Sequence, residues 1–172
     1  TCSPRVVVGV VRDGFGVFLR LRLLAASMDE TYEAVAVGSV REFGSYEVTR
    51  EEILSFAEQY DPQPFHVDED AARESMFGGL VASGWHTCAM TMRLLVDNYL
   101  NESGCMGSPG IDSIRFPNPV RPGDTLSVRV EHTDKEPWDS GRGVVHSDVT
   151  THSGVGETVL TMEAMALFPR GG

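Results

Sequence analysis

Between Thr49 and Tyr60 the apolar residues Ile53, Phe56, Ala57 and Tyr60 recur at intervals of three and four, the spacing of one face of an α-helix. Ahead of them, Thr49-Arg50-Glu51-Glu52 reads as a capping box, in which a threonine hydroxyl and a glutamate three residues later satisfy each other's backbone N–H groups. The helix must stop at about Tyr60. Asp61-Pro62-Gln63-Pro64 follows, and each proline removes a donor and pushes the residue before it toward extended geometry. Asp61 is therefore expected at a helix end and His66 just beyond a rigid extended stretch. Asp68 then caps a second short helix through Ala71, Ala72 and Arg73.

From Ser83 to Leu100 the residues Trp85, Cys88, Ala89, Met92, Leu95, Val96 and Tyr99 again recur at helical spacing, and the width of this apolar face predicts a largely buried helix. After the Gly/Ser/Pro-rich stretch 103–110 the period drops to two. Leu126, Val128 and Val130 alternate with polar neighbours, as do Val145, Ser147 and Val149, and then Leu160, Met162, Ala164 and Ala166. These segments predict at least three consecutive antiparallel strands. A long buried helix followed by such a meander calls for an α+β fold in which the sheet covers the helix.

The length of 172 residues, 41% of them hydrophobic, fits one domain with a sizeable core. Lys and Arg total 14 against 25 Asp and Glu, and the net charge of -11 argues against nucleic acid or an anionic membrane surface as partner. Lys135 is the sole lysine; either a salt-rich habitat or a genome that favours arginine codons accounts for this bias. Cys2, Cys88 and Cys105 form neither a CxxC pair nor zinc-ligand spacing, so no disulfide framework and no metal site is expected, and a reducing cytoplasm fits best. Arg20 and Arg22 break the most apolar early stretch, so neither a membrane span nor a signal peptide is expected there. Residues 1–27 carry four arginines and one acid, unlike the acidic remainder, so they are expected to be an extension outside a single domain spanning 28–172. An added strand from Val6 to Val11 is the alternative.

The stretch Tyr60-Asp61-Pro62-Gln63-Pro64-Phe65-His66, followed by Phe77-Gly78-Gly79-Leu80-Val81-Ala82-Ser83-Gly84-Trp85, resembles the MaoC-like dehydratases and (R)-specific enoyl-CoA hydratases, whose hallmark is Asp-x-Asn-Pro-x-His. Asn118-Pro119-Val120-Arg121-Pro122-Gly123-Asp124-Thr125-Leu126 resembles the family's turn into a long strand. The resemblance runs over roughly residues 30 to 168 with the elements in the family's order. It implies a hot-dog fold, a central helix wrapped by an antiparallel sheet, usually paired as a homodimer. It also implies that Asp61 and His66 act on the water that adds across the double bond of a trans-2-enoyl thioester, giving the (R)-3-hydroxyacyl form without metal or organic cofactor. An acyl-CoA, or a related acyl-carrier thioester, is the partner molecule so implied.

Such a hydration needs a base for the water attacking C3, an acid for C2 and a donor for the enolate oxygen. His66, with an ordinary imidazole pKa near ~6.5, can take a proton, and Asp61 can orient the water or move the second proton. For the oxyanion the backbone N–H of Gly84 is the natural donor, at the start of the buried helix where N–H groups lack partners. The resemblance gives the glycine at this point the same role. Ser83 and Trp85 flank it as substrate-binding candidates, although Trp85 and His86 also read as core residues. Alone, Asp61 reads as a turn residue, His66 as a polar loop residue and Gly84 as a packing glycine; the three motifs in one order weigh against that. His132, His146 and His152 are expected at the surface or on a sheet face. Gln63 stands where the family has Asn, Ser83 where many members have His, and Met92 near a pocket serine. An acyl-CoA thioesterase and a non-catalytic acyl-thioester binder therefore stay open as alternatives.

Overall fold

The computed structural model describes residues 30–171, so the expected extension 1–27 and the alternative Val6–Val11 strand lie outside the described residues. In chain order the elements are β1 (Val40–Glu47), α1 (Arg50–Tyr60), α2 (Pro64–Val67), α3 (Glu69–Glu74), α4 (Gly84–Asn98), β2 (Ile111–Arg115), β3 (Thr125–Pro137), β4 (Arg142–His152) and β5 (Thr158–Pro169). The strands form one antiparallel sheet in the order β1-β3-β4-β5-β2. The expected meander is its centre, β3-β4-β5, and β1 and β2 close the two edges. Helix α4 lies against this sheet, touching β1, β3 and β5, which is the expected α+β hot-dog arrangement.

Thr49 caps α1 with both halves of the capping box in place, and Asp68 caps α3 by accepting from the N–H groups of Asp70 and Ala71. Ile53 and Ala57 bury the inner face of α1. The alternation of β3 turns Leu126, Val128 and Val130 inward, where they meet Leu94 and Leu95 of α4 and Leu160 and Met162 of β5 in the main core. Each fully buried aliphatic side chain of this kind contributes roughly 1.5–3 kcal/mol.

The buried face of α4 is not the predicted one: Trp85 and Met92 are exposed, at 66% and 45%, whereas Thr87, Met90, Thr91 and Leu94 are buried and only Leu95 and Tyr99 of the expected set join them. The two threonines are tolerated inside because Thr87 Oγ1 donates to the Ser83 carbonyl and Thr91 Oγ1 pairs with Thr151 Oγ1 of β4 at 2.8 Å. The chain is extended at Gln63 as expected, but His66 itself sits within α2, a single turn with Pro64 in its first positions, where a proline lacks only a donor that would go unused. His132 continues the inward register of β3 and is buried, held between Tyr99 Oη at 3.1 Å and Ser147 Oγ at 2.9 Å.

The sole lysine has a defined place. Lys135 Nζ donates to the carbonyls of Tyr32, Glu33 and Val35, at 3.0, 3.3 and 2.7 Å, and lies 4.9 Å from the centre of the Tyr32 ring. It fastens the segment that precedes β1 onto β3. No helix among the described residues is long and apolar enough to cross a membrane.

Candidate active site

Asp61 is the C-cap of α1, its N–H still bonded to the Ala57 carbonyl. Pro62 ends the helix, and Pro64 starts α2 with the chain turned, so that His66 one turn later comes back toward Asp61. His66 Nε2 lies 3.5 Å from Asp61 Oδ2. Its other nitrogen, Nδ1, is 2.8 Å from the Val81 carbonyl oxygen. A carbonyl oxygen only accepts, so Nδ1 carries a hydrogen, and Nε2 is the nitrogen that faces the carboxylate and is free to exchange a proton.

Ser83 completes the cluster. Its hydroxyl donates to Asp61 Oδ2 at 2.6 Å and accepts from the Trp85 N–H at 3.2 Å, which makes it the N-cap of α4 as well as a partner of the carboxylate. Gln63 Nε2 donates to Asp61 Oδ1 at 2.8 Å, so the residue that replaces the family's asparagine still supports the carboxylate. The Ser83 hydrogen bond, with help from Gln63 and the nearby His66, holds the Asp61 carboxyl below the usual carboxylate range despite partial burial. Asp61 is thus an anion at neutral pH. Ser83 and His66 are buried and Asp61 is partly open, so the cluster has one solvent-facing side.

Gly84 opens α4 next to this cluster. The cap uses the Trp85 N–H, and the helix's own bond from Thr87 N–H goes to the Ser83 carbonyl; the Gly84 N–H is not among the groups these two bonds satisfy. It stands at the positive end of a 15-residue helix, a place that favours a developing negative charge. Asp61, His66, Ser83 and Gly84 are therefore brought to one end of α4, and the fifth candidate, Trp85, lies beside them but is turned outward.

The third motif supplies bracing rather than chemistry. Gly123, with φ of +88°, makes a turn in which Asp124 accepts from the Arg121 N–H at 2.7 Å. From this turn, Val120 O accepts from Ala82 N–H at 2.8 Å, Arg121 Nη2 donates to the Phe77 carbonyl at 2.6 Å, and Val48 exchanges bonds with Gly123 and Asp124. The stretch that carries Val81 and Ser83 is pinned in this way opposite Asp61 and His66. Arg93 on α4 is engaged by Asp97 at 2.7 Å. Arg121 instead lines a cleft of about 320 Å³ together with Arg50 and Arg73. His86 is buried and stacked on Phe56 at 4.6 Å, in keeping with a structural role.

Sequence reasoning singled out Ser83 without its bond to Asp61. The signal was available in the Ser-Gly step at a helix start, since a serine there is a strong N-cap whose hydroxyl retains a hydrogen to donate.

Comparison with known proteins shows the family of the chain. Residues 33–153 match the family model described as a MaoC-like domain. The uncharacterised Bacillus subtilis protein YdeM is 30% identical over 134 residues, covering 78% of this chain and 95% of that protein. The 3-hydroxyacyl-thioester dehydratase Z of Mycobacterium tuberculosis is 32% identical over 106 residues, 60% of this chain and 69% of that protein. Among solved structures, the MaoC-like dehydratase of Rhodospirillum rubrum superposes with a TM-score of 0.75 at 40% identity, covering 83% of this chain and 98% of that one. The R-hydratase PhaJ1 of Pseudomonas aeruginosa gives 0.67 at 25% identity, with coverages of 83% and 88%.

Proposed function

Because the chain belongs to the MaoC-like domain family, whose matched relatives include dehydratases and an (R)-hydratase, we propose that it interconverts trans-2-enoyl and (R)-3-hydroxyacyl thioesters by adding and removing water. The observation that carries this reading is the cluster at the start of α4: the Asp61 carboxylate and His66 Nε2, which accepts a hydrogen when the ring is neutral, 3.5 Å apart and beside the Gly84 N–H. A water that donates one hydrogen to each acceptor is held with its oxygen lone pairs directed away from both. As that oxygen bonds to C3, one of its protons passes to His66 Nε2 and the C2=C3 pair moves onto the thioester oxygen, where the Gly84 N–H meets it. Collapse of the enolate takes a proton at C2 from the imidazolium, so that H and OH have been added and His66 is restored. Asp61, anchored by Ser83 and Gln63, stabilises the transient imidazolium, and the proline-bounded turn keeps the pair in register. The scheme needs no metal or organic cofactor.

An acyl-CoA is the substrate form we propose, and a homodimer the working assembly. Support for the dimer is the exposed apolar face of α4, with Trp85 and Met92, and the open edge of β2, with Ile111 and then Phe116 exposed beyond it; a second copy can cover such a face with its own. The test is hydration of crotonyl-CoA, followed by loss of the enoyl absorbance, with Asp61→Asn and His66→Ala beside the wild type. Loss of at least about 100-fold in kcat for both variants is expected, the range for removal of a general acid or base. Release of free CoA without hydration would replace this reading with thioester cleavage, and binding without any turnover would make the protein an acyl-thioester binder.

A further inference from the structure

Phe116 is the first residue after β2; it is 47% exposed, and its ring lies beside Gly84. Its place is fixed from both sides. Arg115 pairs with Thr161 of β5, and beyond the ring Asn118 Nδ2 donates to the Thr158 carbonyl at 2.9 Å and Val120 O accepts from Ala82 N–H at 2.8 Å. A Cβ placed on Gly84 would fall 2.8, 2.9 and 3.0 Å from Cε2, Cζ and Cδ2 of this ring. The ring edge is therefore in contact with the Gly84 backbone itself, and the absence of a side chain at 84 is matched to the aromatic at 116.

We propose that Phe116 is a specificity-determining residue that walls the thioester position and limits bulk on the carbon next to the thioester carbonyl. The proposal rests on the reading of Gly84 as the oxygen donor. A thioester oxygen at hydrogen-bond distance, about 2.9 Å, from the Gly84 N–H brings its carbonyl carbon and C2 within a few ångströms of the ring. A 2-enoyl thioester is flat from its oxygen to C3, and a flat unit can slide along an aromatic edge. A methyl group on C2 widens that unit in its own plane, and the backbone that carries the ring is held by β2 and the 118–120 segment, so the ring can yield only through its own side-chain torsions. The wall is also apolar, so it keeps water from the oxygen on that side and leaves the Gly84 N–H as its donor.

The experiment compares crotonyl-CoA with its 2-methyl homologue on wild type, Phe116→Ala, Phe116→Leu and Phe116→Trp. Turnover is read as the ratio of kcat/KM for the two thioesters. Binding is read as the ratio of Kd in an Asp61→Asn background. One methyl group refused by an apolar wall is worth about 10- to 200-fold, so the wild type should prefer crotonyl-CoA by at least tenfold. Phe116→Ala should bring the ratio to within about threefold by gaining the methylated substrate, with Leu between and Trp beyond the wild type, as expected for a steric wall. Equal ratios in the Ala and Trp variants and the wild type overturn the assignment, as does a failure of either thioester to bind. Retained discrimination in Kd without any hydration leaves the Phe116 assignment standing and removes the hydratase reading instead.

Discussion

The Ser83 hydroxyl donates a 2.6 Å hydrogen bond to Asp61 Oδ2, and this bond is the first cause of the low pKa of that carboxyl. Because the same oxygen caps α4, the helix that presents Gly84 and the carboxylate that faces His66 share one anchor. Ser83→Ala should lower kcat by about 10- to 100-fold, the worth of a hydrogen bond to a charged group, while KM stays within about threefold. A carboxyl whose folded pKa is depressed contributes stability above its unfolded value of about 3.9, and that stability is lost as the pH falls through the lower folded value. The variant should therefore be less stable than the wild type at neutral pH and should lose less stability than the wild type on acidification, because its folded and unfolded pKa lie closer together. Rescue of rate and neutral-pH stability by Ser83→Thr would tie both effects to the hydroxyl; no change in either would refute the coupling.

Thr91 and Thr151 form a buried hydroxyl pair between α4 and β4. Replacing either by valine strands the other hydroxyl and should cost ~1–3 kcal/mol, whereas the double replacement should be nearly neutral. Urea unfolding of the four proteins gives the coupling directly, and additive single effects would show that the pair is not energetically linked.

His132 is buried between Tyr99 and Ser147; burial first, then the nearby Arg41, pushes its pKa down. Tyr99 is itself pushed up to about 12 by burial and stays a neutral phenol. Below about pH 6.5 the unfolded chain takes up a proton that the folded chain refuses, so stability is full above that value and falls as the pH drops toward the folded pKa. The slope from one such group is at most about 1.4 kcal/mol per pH unit, and His86, also lowered by burial, adds in the same direction. Denaturant midpoints should decline from about pH 7.5 to 5.5, and His132→Gln should flatten the decline. An unchanged slope in the variant would place the loss elsewhere.

Light scattering should give twice the chain mass, with Met92→Asp yielding a monomer because it puts a charge in the middle of the apolar face of α4. A wild-type monomer at micromolar concentration would discard the proposed pairing.

The parts of the fold that could be read from the residues are those whose own neighbours determine them. The capping box at Thr49, the Asp68 cap and the two-residue alternation of β3 are local rules, and each is obeyed. β1 and β2 obey no such rule. Val40–Glu47 is largely exposed and interrupted by Gly44, and Ile111–Arg115 is a five-residue edge, so both are strands because β3 and β5 offer them partners. The face of α4 was misjudged for a related reason. Hydropathy alone ranks Trp85 and Met92 above Thr87 and Thr91, but the sheet supplies hydrogen-bond partners that let threonines go inside.

At the candidate site, the sequence motif brought Asp61, His66 and Gly84 to attention, but it could not show which atoms meet. The tautomer of His66 depends on Val81, fifteen positions later, and the state of Asp61 depends on Ser83, twenty-two positions later. His132 lies on a sheet face, one of the two positions expected for it, and counting by twos from Leu126 through Val130 gives the inner face.

Lys135, with all three ammonium hydrogens directed at carbonyls of the 32–35 segment, is also the only ε-amine in the 172-residue sequence. An amine so engaged must release its bonds before it can attack an acylating reagent. The rate at which Lys135 takes up an acetyl group, read by mass spectrometry of one tryptic peptide, is therefore a clock for the undocking of that flank. The scarcity of lysine turns an ordinary labelling reaction into a single-site measurement of local opening.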